Sequence, residues 1–141
     1  MNPLLMFCRS RLMAEKPIDL SVIEYQGQRI GEGPIGELLL TTATESARLV
    51  EACANAGVDK IILYPENLPP QFFDLSSREA GEVLGKLRNY FIRMAVIKST
   101  NLKLSRRFAE ILGEERRSGF FSLFENRQEA LEWLMQFKSL G

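Results

Sequence analysis

Apolar residues fall along the chain in two rhythms, one suited to strands and one to helices. Ile18 to Tyr25 alternates and is β-branched in its middle, which predicts a first strand. Gly27-Gln28 reads as a turn and Arg29-Ile30 as the start of a short return strand, together an N-terminal hairpin. Gly31 to Gly36 reads as a loop. Leu38 to Thr42 is a strand or the lead into a helix, since so short a run does not reveal its period. Thr42-Ala-Thr-Glu45 has capping-box spacing, and a helix is expected from 44 to 56 with Leu49, Val50, Cys53 and Ala54 as its apolar stripe. Gly57 is placed to end it in the left-handed conformation.

The second half repeats this alternation. Asp59 to Tyr64 is short, apolar and bounded by turn residues, as an interior strand buried on both faces would be. Pro65 stops it, and Asn67 to Phe73, with Pro69 and Pro70, reads as a structured connection. A helix follows from Ser76 or Ser77 to Asn89, with Ala80, Val83, Leu84 and Leu87 on one side. Ile92 to Ile97 is the next strand. Helix resumes from Leu102 to Arg117, with Leu104, Phe108, Ile111 and Leu112 inward, and Gly119 ends it. Phe120 to Phe124 is a last strand, and Asn126-Arg-Gln-Glu129 starts a terminal helix burying Ala130, Trp133, Leu134 and Phe137. The fold class is therefore α/β: one domain over 17–141, a mixed, mostly parallel sheet of four to five strands with about four helices.

Composition narrows the chemistry. Of 141 residues, 45% are hydrophobic and 26% charged, with 18 basic residues balancing 18 acidic ones, so the basic excess of a nucleic-acid binder is missing. The chain has no histidine, which removes Ser-His-Asp and Cys-His catalysis and any His-ligated metal. The two cysteines, Cys8 and Cys53, form no disulfide framework or metal motif, and Cys53 falls in an apolar helical run; a reducing cytoplasm fits. No metal and no cofactor is called for. Residues 1–16 form an extension that is a poor signal peptide, and no run is apolar enough for a transmembrane span.

Several constellations bear on function. Gly31-Glu-Gly33-Pro-Ile-Gly36 matches GxGxxG, but Pro34 intrudes and no helix opens at Gly36, so a hairpin loop is the better reading than a nucleotide site. Arg106-Arg107 and Arg116-Arg117 bracket Glu110, Glu114 and Glu115 as on a solvated helix face. Phe72-Phe73 reads first as a core plug and second as a binding anchor. Ser76 and Glu79 have capping-box spacing. A serine there is also a favourable site for a phosphate, which Asp74 would repel, making a disruptive switch. Glu79 and Glu82 lie on adjacent turns without a matched acid or nucleophile.

From Asp19 to about Leu134 the chain resembles the family called domain of unknown function 4180. The resemblance rests on Asp59-Lys-Ile-Ile-Leu63, Glu66-Asn67, Phe72-Phe73-Asp74-Leu75, Ala80-Gly81-Glu82, Lys86-Leu87, Asn89-Tyr90, Ile92, Ala95-Val96-Ile97, Phe121 and Glu129-Ala130-Leu131. More distantly, the element order resembles the STAS fold of anti-sigma-factor antagonists. There an Asp-Ser-Ser-Gly type turn opens a helix, and a partner kinase phosphorylates the serine to control binding. Phe73-Asp74-Leu75-Ser76-Ser77 stands in a similar place, with Leu75 inserted and Arg78 where the glycine would be.

The expectation that follows is a non-catalytic regulatory or protein-interaction module, STAS-like in fold, docking a protein partner through Phe72, Phe73, Asp74, Ser76, Ser77, Glu79 and Glu82. The alternative is a small-ligand-binding domain with Tyr64, Glu66, Lys98 and Ser99 at the ends of parallel strands. A carboxylate-based enzyme comes third. Neither nucleic acid nor membrane is an expected partner, and homo-oligomerisation is left open.

Overall fold

The chain opens with an antiparallel hairpin, β1 (Ser21–Tyr25) and β2 (Gln28–Glu32), paired from Ser21↔Glu32 to Tyr25↔Gln28. Gln26 and Gly27 both take positive φ, 51° and 81°, the signature of a two-residue type I′ turn. The turn thus sits one residue earlier than the pattern predicts. The computed structural model describes residues 18–40, 45–69, 72–73, 79–98 and 106–137, and at 79, 107, 111 and 116 the backbone alone.

After the hairpin come α1 (Ser46–Ala56), β3 (Lys60–Leu63), a 3-10 turn (Pro65–Asn67), α2 (Glu79–Asn89), β4 (Arg93–Ile97), α3 (Arg106–Ser118), β5 (Phe121–Phe124) and α4 (Arg127–Leu134). The five strands lie in sequence order, β1-β2-β3-β4-β5, and every pairing after the hairpin is parallel. This is an α/β domain with a mixed, mostly parallel sheet and, among the described residues, four helices.

The two faces of the sheet are covered unequally. Leu49 and Cys53 of α1, Val83 and Leu87 of α2 and Phe108 of α3 share one core with Ile61, Leu63, Met94, Val96, Phe121 and Leu123 of the strands. The opposite strand positions, Ile30, Ile62, Ala95 and Phe124, share a second core with Ala130, Leu131, Trp133 and Leu134 of α4, with Ile23 and Tyr25 of β1 beside it. Three successive crossovers over one face leave the last helix to return beneath the other. Strands with apolar residues on both faces follow from being sandwiched, and all four residues of β3 and of β5 are buried.

Several local expectations change. The return strand is longer than Arg29-Ile30 suggests, because Gly31 and Glu32 pair with Ile61 and Ile62 in parallel. Gly31 is therefore in a strand and not a loop, and it is packed: a Cβ there would lie 3.2 Å from Val58 and 3.3 Å from Ile61 and Leu20. Leu38 to Leu40 belongs to a loop. No helix opens at Gly36, so the GxGxxG match is not a strand-to-helix phosphate turn. In α1 the buried stripe is Leu49, Ala52 and Cys53, while Ala54 is exposed and Val50 half-buried. Glu45, at the N-cap, makes no side-chain cap bond and pairs with Arg48 at 3.3 Å; Thr42 lies outside the described residues. Gly57 ends α1 with φ 72°, as its placement implies.

In α2, Ala80, Val83, Leu84 and Leu87 are all buried. On its outer face Gly81 and Gly85 have, among the described residues, nothing within 4 Å of where a Cβ would stand. Each costs the helix about 1 kcal/mol relative to alanine. Phe91, just past α2, holds φ 58° and is 56% exposed, where a helix terminus favours glycine. Asn126 caps α4: its side chain accepts from the Glu129 amide at 2.9 Å and donates to the Glu129 carboxylate at 2.8 Å.

Candidate functional site at the strand ends

Parallel strands in an open α/β sheet deliver their following loops to one edge, the usual place for binding. Here that edge gathers Glu32 from the end of β2, Tyr64 after β3, Lys98 after β4, and Glu125, Asn126 and Arg127 after β5. The phenol of Tyr64 donates to Glu32 Oε2 at 2.6 Å. Arg127 forks onto the same carboxylate, Nε to Oε2 and Nη2 to Oε1, both at 3.0 Å. Lys98 Nζ stands 3.4 Å from Glu125 Oε1. Bidentate geometry makes the Arg127–Glu32 pair more directional than an ordinary surface pair.

The titration behaviour follows from these contacts. Burial alone would raise the Glu32 carboxyl, but the hydrogen bonds from Arg127 and Tyr64 and the Arg127 charge outweigh it and hold the group below its usual range. Tyr64 is pushed up to about 12, by burial first and then by its bond to the Glu32 carboxylate, which favours the protonated phenol. Cys53, deep under the sheet, is raised to about 12 by burial and by the Asp59 charge. Near neutrality these three groups are a weak base, a phenol and a thiol. A general base or activated nucleophile needs the opposite shifts.

Beside the charged cluster lies a loop held by one buried side chain. Asn67 is fully buried in the 3-10 turn after β3. Its Oδ1 accepts from the Tyr64 amide at 2.7 Å, and its Nδ2 donates to the carbonyls of Pro34 at 2.6 Å and Glu37 at 2.7 Å. Its own carbonyl accepts from the amides of Leu39 and Leu40 at 3.0 and 3.1 Å. Gly33 makes this approach possible: a Cβ there would stand 2.6 Å from Asn67 Oδ1 and 2.8 Å from Leu63 Cδ2. The loop so pinned exposes two large apolar side chains, Ile35 at 76% and Leu38 at 51%. Glu37 in the same loop and Glu66, the chain neighbour of Asn67, are exposed as well.

Of the residues singled out by sequence, Tyr64 and Lys98 are at this edge, Glu66 is exposed next to Asn67, and Ser99 lies outside the described residues. Phe72 is fully buried, edge-on to Phe73, Phe108 and Phe121 at centroid distances of 4.9, 6.1 and 6.0 Å. It plugs the core and offers no free surface, while Phe73 is half-buried against Phe108. Asp74, Ser76 and Ser77 lie outside the described residues, and Glu79 begins α2. Glu82 is exposed on α2, on a groove of about 370 Å³ that it lines with Ser46, Ala47, Gly81, Gly85, Lys86 and Asn89.

Glu32, Arg127 and Asn67 were not anticipated as site residues. Glu32 and Arg127 are 95 positions apart, and no local pattern links them. Asn67 carries a signal in retrospect, a lone amide between a strand end and Leu68-Pro69.

The family model described as domain of unknown function (DUF4180) matches residues 26–134, more than half of the chain. The chain belongs to this family. In this DUF4180 chain the match spans Glu32, Tyr64, Asn67 and Arg127, so the whole strand-end cluster lies inside the family's domain. No curated protein and no solved structure matches the chain at a level that marks a relative. Among the described residues no group of three Asp, Glu or Cys side chains is placed to hold a metal ion, and no helix is long and apolar enough to cross a membrane.

Proposed function

We propose that this DUF4180 chain is a non-catalytic regulatory or protein-interaction module, STAS-like in plan, that docks a protein partner at the strand ends. The observation that carries the reading is the 33–40 loop. Its backbone is fixed by four hydrogen bonds to one buried asparagine, yet it buries neither Ile35 nor Leu38. A further hydrogen bond, from the Tyr64 amide to Asn67 Oδ1, ties the loop's anchor to the strand end. Rigid exposed apolar side chains suit a docking surface, since little ordering cost remains on binding. The exposed Glu37 and Glu66 favour a partner segment that pairs apolar side chains with lysine or arginine.

The element order supports the STAS-like reading: a hairpin, then helix and strand in alternation, with the β3–α2 connection carrying Asp74, Ser76 and Ser77 just before Glu79. In this reading a phosphate on Ser76 or Ser77 governs docking, and the reduced thiol of buried Cys53 accords with a cytoplasmic setting. The test is affinity purification of the tagged full chain from its native cell, with mass spectrometry of partners and of the 74–79 peptide. A stoichiometric partner lost in Ile35→Ser/Leu38→Ser, and in Ser76→Asp or Ser77→Asp, is expected. A partner retained by Ile35→Ser/Leu38→Ser overturns the surface. Retention by both aspartate variants overturns the switch.

A second reading is favoured by the exposed guanidinium of Arg127 beside Lys98 and Tyr64, polar groups converging where α/β sheets bind small ligands. It expects thermal stabilisation by an anionic metabolite without any partner, abolished by Arg127→Ala.

A further inference from the structure

We propose that the groove on the outer face of α2 is a two-fold interface with a second copy of this chain. The groove is lined on α2 by Gly81, Glu82, Gly85, Lys86 and Asn89, opposite in helical phase to the buried Ala80, Val83, Leu84 and Leu87, and is walled by Ser46 and Ala47 at the start of α1. Among the described residues neither Glu82 nor Lys86 forms an ion pair, although both stand on its rim.

The order of these residues is self-complementary. Gly81-Glu82 and Gly85-Lys86 are two small-then-charged steps, one helical turn apart and of opposite sign. When two α2 helices cross antiparallel about a two-fold axis midway between the steps, Gly81 faces Lys86 of the partner copy and Glu82 faces Gly85 of the partner copy. Each long side chain then lies over a glycine, where no described residue comes within 4 Å of a Cβ position. The carboxylate of each Glu82 meets the ammonium of the other copy's Lys86, twice by symmetry. A parallel crossing would instead set Glu82 against Glu82. A foreign helix could fill the groove, but the reciprocal charge order favours the chain's own copy. The net charge of zero adds no long-range repulsion between copies. This interface is independent of the strand-end surface, and neither Ile35 nor Leu38 lines it.

The experiment is sedimentation velocity on the full chain from about 10 µM to about 500 µM, a range suited to a small helix–helix interface. A concentration-dependent dimer is expected. Gly85→Leu fills the groove from a position whose Cβ is unobstructed, so it is expected to weaken the dimer at least tenfold while the melting temperature of the monomer holds or rises. Glu82→Lys and Lys86→Glu, each placing like charges together twice, are expected to do the same, and the double exchange E82K/K86E to restore dimerisation. A wild-type chain that stays monomeric throughout overturns the proposal, as does a dimer indifferent to Gly85→Leu. A dimer not recovered by the double exchange overturns the antiparallel pairing. None of these results moves the Ile35/Leu38 partner assay, so the two readings fail separately.

Discussion

Replacing Asn67 with alanine removes three side-chain hydrogen bonds at once: the one accepted from the Tyr64 amide and the two donated to Pro34 and Glu37. Each is worth about 1 kcal/mol net. The Glu37 carbonyl, on an exposed residue, regains water most easily, whereas the Tyr64 amide sits at the end of a buried strand. The expected loss is about 3 kcal/mol, a large part of the roughly 5–15 kcal/mol by which domains are stable. Asn67→Asp keeps the shape but turns a carboxylate oxygen toward two carbonyls. It is expected to cost at least as much at neutral pH and to recover partly below about pH 4, where the protonated acid can donate. Gly33→Ala pushes a Cβ to 2.6 Å from Asn67 Oδ1, so it strains the same side chain. In the Asn67→Ala background it should cost less, the residual being its 2.8 Å approach to Leu63. Urea unfolding gives the energies, and amide exchange at Leu39 and Leu40 reports the loop locally. A loss under about 1 kcal/mol for Asn67→Ala, or unchanged protection at Leu39 and Leu40, would refute the view that Asn67 holds the loop.

Other outcomes follow from the same physics. Because the folded-state pKa of Glu32 lies below its unfolded value, its stabilisation is present above about pH 4 and is lost as acid protonates the folded carboxylate. The stability–pH curve of Glu32→Gln should therefore be flatter on the acid limb and meet the wild-type curve there; parallel curves would contradict the pairing. Tyr64, raised to about 12, contributes stability that is full below about pH 10 and fades as pH climbs through the folded value; spectrophotometric titration should show one phenol lagging, and Tyr64→Phe should remove it. In a Cys8→Ser chain, Cys53 should react with a thiol reagent only as fast as the domain opens, so a rapid native-state reaction would mean that it is not sealed under the sheet. Phe91→Gly should raise stability by up to about 1 kcal/mol, since it relieves a left-handed backbone and gives up an exposed ring; a lower melting temperature would show that the ring packs after all.

The order of elements was legible because periodicity is local. Ala80, Val83, Leu84 and Leu87 announce a buried helix face from four residues, and Asp59 to Tyr64 announces a strand from six. The extension of β2 was hidden, because Gly31 and Glu32 are poor strand formers that become strand by pairing with β1 on one side and β3 on the other. The stripe of α1 was misjudged for a related reason: Ala52 and Ala54 differ in burial by neighbours, not by type. The site was legible only in outline. Tyr64 and Lys98 could be placed at strand ends from the α/β pattern alone. Their partner Glu32 looked like part of a glycine loop, and Arg127 like part of a helix cap, until the sheet brought residues 32, 64 and 127 together.

The sequential order of the strands has a consequence for how the chain is made. Each parallel strand pairs with the one synthesised just before it, so the sheet can grow by addition at its edge as the polypeptide leaves the ribosome, each addition waiting on a helical crossover. The face under α1, α2 and α3 is roofed as it is laid down. The other face is not: Ile30, Ile62, Ala95 and Phe124 wait for a helix that begins only at Arg127. A nascent chain stalled before that point lacks the helix that covers these side chains, and apolar sheet surface exposed in this way is prone to aggregate.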